Sequence, residues 1–102
     1  MLVLPTYSFD PKYASDVDGF TFDLSAWVGD SDQISGTPTA TISPSDAIIE
    51  AIVAQNSLVT VWISGGVAGQ KYTIELQIVT QGSPGSLRGR NCIVRGSFMV
   101  QT

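Results

Sequence analysis

From Lys71 to Thr80 the side chains alternate with a period of two, Tyr72, Ile74, Leu76 and Ile78 against Thr73, Glu75, Gln77 and Val79. A helix advances about 100° per residue and would scatter these apolar groups around its circumference, so only a strand gathers them on one face. The run Leu58 to Ser64 behaves in the same way. With Val59, Val61 and Ile63 inward, Leu58, Thr60 and Trp62 lie on the opposite face. Between the two runs stands Gly65-Gly66-Val67-Ala68-Gly69, a reversal that predicts an antiparallel pair across the glycine turn.

Further strands are legible on either side. Phe20, Phe22 and Leu24 alternate with Thr21, Asp23 and Ser25, a half-buried strand followed by Ala26-Trp27-Val28 and the turn-rich Gly29-Asp30-Ser31-Asp32. Trp27 reads as a core residue. Gly36 to Ser43 is Thr-rich, and Pro38, lacking an amide donor, argues for an edge position. At the C-terminal end Cys92, Val94, Phe98 and Val100 share one face, with Gly96 among them as a bulge or a point of close packing.

Residues 44–54 admit two readings. Ser43 could cap a helix with Pro44 in its first position, because Ile48, Ile49, Ile52 and Val53 have helical spacing. Against it, the run is short, β-branched and set among strands, which favours a strand. Gln81 to Gly89 is rich in glycine, serine and proline and reads as a mobile loop. The count is six or seven short strands in 102 residues, the pattern of an all-β, immunoglobulin-like antiparallel β-sandwich.

Residues 1–18 precede this sandwich, spanning 19–102, as an extended arm interrupted by Pro5 and Pro11. Tyr7, Phe9 and Tyr13 are spaced along it. Such rings want a surface to bury against, either their own domain or a neighbour's. On the second reading the arm is an appendage, and removing residues 1–15 would leave the domain folded but unable to assemble.

A hydrophobic fraction of 43% against a charged fraction of 14% suits a compact chain, one domain in size. Met1-Leu2-Val3-Leu4-Pro5 has no basic n-region and its apolar run stops at once, so neither a signal peptide nor a membrane span is expected there; synthesis in a cytoplasm follows. The charges are uneven along the chain. Residues 1–50 hold eight acids and only Lys12, whereas the remainder holds Glu75 against Lys71, Arg88, Arg90 and Arg95. Either one copy's basic loop meets another copy's acidic face, or these charges cluster in sequence and mix in space.

The chemistry that would mark an enzyme is missing. There is no histidine, hence no imidazole base and no imidazole metal ligand. Cys92 sits at an inward strand position and reads as a structural thiol. Asp30-Ser31-Asp32 begins like a calcium loop, but Ile34 and Ser35 stand where oxygen and glycine are wanted. Gly65 to Gly69 is no phosphate loop, since no helix opening with Lys-Ser or Lys-Thr follows. Arg88, Arg90 and Arg95 on a chain of net charge −4 make a poor nucleic-acid footprint and a better protein contact. No catalytic, cofactor or metal site is expected. Candidate interface residues are Tyr7, Phe9, Tyr13, Trp62, Arg88 and Arg90, with Trp62 either core or, if exposed, the mark of an interface.

Asp10-Pro11-Lys12, Phe22-Asp23-Leu24-Ser25-Ala26-Trp27-Val28 and Val59 to Thr73 together resemble a family of small phage virion proteins, the fiber-tail adaptors. The resemblance covers about residues 10–81. It departs at Gly82 to Asn91, which is longer than the short Gly-Arg turn usual there, so the resemblance does not by itself imply a contact by Arg88 or Arg90. What the resemblance implies is an immunoglobulin-like fold and a structural role, with many copies in a ring at the tail or connector, touching one another and neighbouring tail, connector or fiber proteins. Neither nucleic acid nor membrane is among the expected partners. A capsid decoration protein and a carbohydrate- or receptor-binding β-sandwich module are the alternatives.

Overall fold

A computed structural model describes residues 2–3, 6–25, 34, 38–80 and 91–101. Nine strands follow in chain order among the described residues: β1 (Leu2–Val3), β2 (Tyr7–Ser8), β3 (Lys12–Tyr13), β4 (Asp18–Asp23), β5 (Thr39–Ser43), β6 (Ala47–Gln55), β7 (Leu58–Gly65), β8 (Lys71–Val79) and β9 (Asn91–Gln101). They form two sheets. The smaller has the order β4-β7-β6; the larger runs β9-β8-β5, with β1, β2 and β3 laid successively along the outer side of β9. These orders match the B-E-D and C-F-G sheets of an immunoglobulin-like sandwich, with the N-terminal segments set beside the last strand.

The inward rows are those that alternation indicates. Phe20, Phe22, Val59, Val61 and Ile63 from the smaller sheet face Tyr72, Ile74, Leu76, Ile78, Cys92, Val94, Phe98 and Val100 from the larger, all buried. Period-two burial on each strand therefore builds one shared interior, about 10 Å thick in sandwiches of this kind.

The expected hairpin between Leu58–Ser64 and Lys71–Thr80 does not form. β7 pairs with β4 and β6, and β8 with β5 and β9, so Gly65 to Gln70 carries the chain from one sheet to the other. Alternation marks an inward face but not which sheet bears it. Two such faces are satisfied as well by covering each other as by lying side by side. The glycines serve this crossing: Gly66 has φ +99°, and a Cβ there would lie 2.9 Å from Val100 Cγ2. The tight hairpin is instead β6–β7, turned on Asn56-Ser57 with Asn56 at φ +56°.

Residues 47–55 are strand, and the helical spacing has a cause. The β6–β7 register slips between Ile49 and Ala51, a bulge at Glu50. Before it Ala47 and Ile49 turn inward; after it Ile52 does. One inserted residue moves the inward phase and turns a spacing of two into three, imitating half a helical repeat. β5 lies at the edge of its sheet with Pro38 just before it, as the sequence implies.

The arm is extended and belongs to the larger sheet. β1, β2 and β3 run parallel to β9, with Leu2 opposite Cys92, Tyr7 opposite Gly96 and Lys12 opposite Val100. Phe9 N and Ala14 N donate to Ser97 O and Gln101 O, each at 2.9 Å. Pro11 lies in the break between the second and third segments, where a ladder donor is absent.

Lys12 is 0% exposed. Its Nζ donates to Tyr13 O at 2.8 Å and to Gly65 O at 2.9 Å, tying the arm to the end of β7 in the opposite sheet. A second tie lies at the same end. Tyr72 Oη donates to Asp46 Oδ1 at 2.7 Å and accepts from Val67 N at 2.8 Å. Burial pushes the Tyr72 phenol above its ordinary 10.0, and the hydrogen bond to Asp46 adds to this. Burial, then the Asp23 carboxylate, raises Tyr7 as well. The fold thus prefers both phenols neutral. That preference is fully expressed below the unfolded value and is lost as pH rises through the raised folded values. The urea midpoint should be flat from about pH 7 to about pH 9 and fall above about pH 10. Tyr72→Phe should reduce that alkaline fall and cost about 1–2 kcal/mol at neutral pH, because Val67 N and Asp46 lose their partner.

Candidate interaction surfaces

Three of the candidate residues come from the arm, and the fold divides them. Tyr7 and Phe9 are half-buried against their own core. Tyr7 lies 5.2 Å from Phe22, and its hydroxyl donates to Asp23 O at 2.6 Å. Phe9 meets Phe22 edge-on at 5.1 Å and Phe20 at 5.2 Å. Phe20 stacks on Phe98 at 4.4 Å, and Phe98 on Tyr72 at 5.6 Å, so the rings form a continuous row through the interior. Tyr13 is half exposed at the far end of the arm. Arg88, Arg90, Trp27, the Asp30-Ser31-Asp32 segment and the Gln81 to Gly89 loop lie outside the described residues.

Trp62 lies on the outer face of the smaller sheet at 40% exposure. β7 is the central strand there, and its outward positions 58, 60, 62 and 64 run down the middle of the face. Gly19 is opposite Trp62 on β4, and the indole lies across it: a Cβ at Gly19 would meet Trp62 Cε2 and Cη2 at 3.1 Å. The bare backbone of Gly19 lets the ring lie down on the sheet. Ile48, Val53 and Leu58 join Trp62, each more than two-fifths exposed. Sequence reasoning found Trp62 but missed Ile48 and Val53, which it assigned to an undivided apolar run; Ile48 points outward before the bulge, and the phase change at the bulge turns Val53 to the same face.

The charges on the two outer faces differ. On the smaller sheet they are Asp23 and Glu50. Hydrogen bonds from Ser25, its side chain first and its backbone N–H second, hold the Asp23 carboxyl below the usual range. The backbone bond, Ser25 N to Asp23 Oδ1, is 3.1 Å. Glu50 Oε1, at the bulge, accepts from Ser64 Oγ at 2.6 Å. The cations of the described residues other than buried Lys12 are Lys71 and Arg95, both on the outer face of the larger sheet. Arg95 Nε donates to Glu75 Oε2 at 3.1 Å across β8–β9, a half-exposed pair worth under about 1 kcal/mol.

Among the described residues no three His, Cys, Asp or Glu side chains come together as a metal site would require, and no helix is long and apolar enough to cross a membrane. Cys92 is buried. The arrangement offers surfaces for contact.

A family model described as "Podophage GP4 fiber-tail adaptor protein gp77" matches residues 12–95, most of the chain. No curated protein matches it.

Proposed function

The chain belongs to the podophage GP4 fiber-tail adaptor protein gp77 family, a family with a structural role in the phage tail, and we propose on that premise that it joins the tail or connector to the fibers as one of many copies in a ring. It acts without catalysis, is made in the cytoplasm of the bacterial host and resides in the virion. The observation that carries this reading is the family match over residues 12–95. The exposed apolar face around Trp62 supports it, because faces of that kind on small domains serve protein contacts. Tyr13, half exposed where the arm ends, is positioned to touch a neighbour. Tyr7 and Phe9 contribute by seating the arm that carries it.

The surroundings of Trp62 disfavour a sugar platform. Glycan sites combine an aromatic plane with convergent polar groups, whereas the cross-strand partners of Trp62 are Gly19 and Ala51, and the polar side chains flanking it are already paired with one another, Thr21 with Thr60 and Ser64 with Glu50. Cryo-EM of intact virions tests the role directly. Density for this domain should lie between tail and fibers; density on the capsid shell would instead make it a decoration protein.

A further inference from the structure

We propose that the outer faces of the two sheets are complementary, so that the β4-β7-β6 face of one copy docks on the outer face of β5-β8-β9 of the next. The proposal rests on the ring reading and says which surfaces make the contact.

The first face is apolar at its centre and acidic at its edges. Trp62, Ile48, Val53 and Leu58 are exposed on it, while Asp23 and Glu50 bear its charge with no cation beside them among the described residues. The second face carries Lys71 and Arg95. Lys71 stands opposite Met99, itself 41% exposed, so a cation and an apolar side chain are adjacent. Arg95, with Nε on Glu75 and its side chain 42% exposed, can take a second carboxylate. A shallow depression lined by Thr39, Thr41, Glu75 and Gln77 lies beside it, a concave seat for a side chain projecting from the facing sheet.

The signs select the pairing. Two copies of the first face would bring Asp23 and Glu50 of one copy against the same groups of the other, a like-charge arrangement. First face on second face brings carboxylates to Lys71 and Arg95 and covers Trp62. That contact is heterologous, leaving a pair of copies one free face of each kind, and repeated contacts of this type close into a ring when the rotation permits.

The test uses the whole chain and two double variants at exposed outward or bulge positions. Glu50→Lys/Val53→Lys spoils the first face alone, and Lys71→Glu/Met99→Glu the second alone. Thermal unfolding first establishes that both remain folded, and native mass spectrometry then reads the assembly. The wild type is expected to self-associate and each variant alone to lose its oligomers. An equimolar mixture is expected to regain at least a one-to-one complex, since each variant still has the face the other needs. A wild type that assembles beside a mixture that stays monomeric would overturn the face assignment and leave the ring standing, with another virion protein on the first face. Either variant assembling like the wild type would also overturn it. A wild type monomeric at every concentration would remove the ring together with this contact.

Discussion

Removal of residues 1–15 is expected to abolish the cooperative thermal transition of the domain. The sequence leaves two readings of the arm, rings buried on their own domain or on a neighbour's, and on the second its loss spares the fold. The pairing of the arm with β9 favours the first. The deletion strips the parallel ladder from β9, takes Tyr7 and Phe9 off Phe20 and Phe22, and leaves Gly65 O without the Lys12 donor. Tyr7 and Phe9 are half-buried and contribute roughly half of the 1.5–3 kcal/mol of a fully buried ring each, and a lost buried hydrogen-bond partner costs about 1–3 kcal/mol. With the ladder bonds to β9 lost as well, these losses approach the lower end of a small domain's stability, about 5–15 kcal/mol. Circular dichroism on heating should show a broad drift in place of a transition, with strong binding of an apolar dye. A peptide of residues 1–15 added in trans should restore part of the transition. A truncated chain that melts as cooperatively as the full one would show that the arm is dispensable.

Gly96→Ala is expected to cost about 3 kcal/mol, the upper end of ordinary overpacking. The added Cβ would lie well inside contact distance of Phe9 Cε2 and 2.9 Å from Phe22 Cε2 and Cζ. Neither ring can withdraw easily. Phe22 is fully buried, and Phe9 is held between Phe20 and Phe22 by the backbone bond from Phe9 N to Ser97 O. In urea the midpoint should fall with little change in slope. Phe9→Ala should be destabilising alone, yet the double variant should be less damaged than the two costs summed, because a smaller residue 9 makes room for the methyl. Strict additivity in this cycle would mean that the Phe9 ring is not what residue 96 meets.

Strand identity and the inward face of each long strand were legible because both depend on local alternation. Phe20, Phe22, the 59–63 and 72–78 rows and the 92–100 row are buried as read. Gly96 was legible as a special position, although only Phe9 and Phe22 show why. Residues 44–54 were ambiguous because a bulge alters phase without changing composition. Lys12 gave no signal at all: a lone lysine in a sequence normally means solvent, and its burial depends on a carbonyl 53 residues away. Trp62 read as either core or an outward residue, alternation placing it opposite the Val59 row, and the extent of its face was not legible, since Ile48 and Val53 reach it across strand pairings invisible along the chain.

The sequence from Leu58 to Thr80 determined two strands, their buried rows and a glycine reversal between them, because side-chain alternation is a property of neighbours in the chain. The tertiary structure decided that this reversal crosses between sheets rather than closing a hairpin. It also decided that the aromatic arm pairs with the larger sheet, and that among the described residues Asp23 and Glu50 lie on one outer face and Lys71 and Arg95 on the other. Those outcomes depend on which distant strand covers which apolar face, a choice made by packing the whole interior at once.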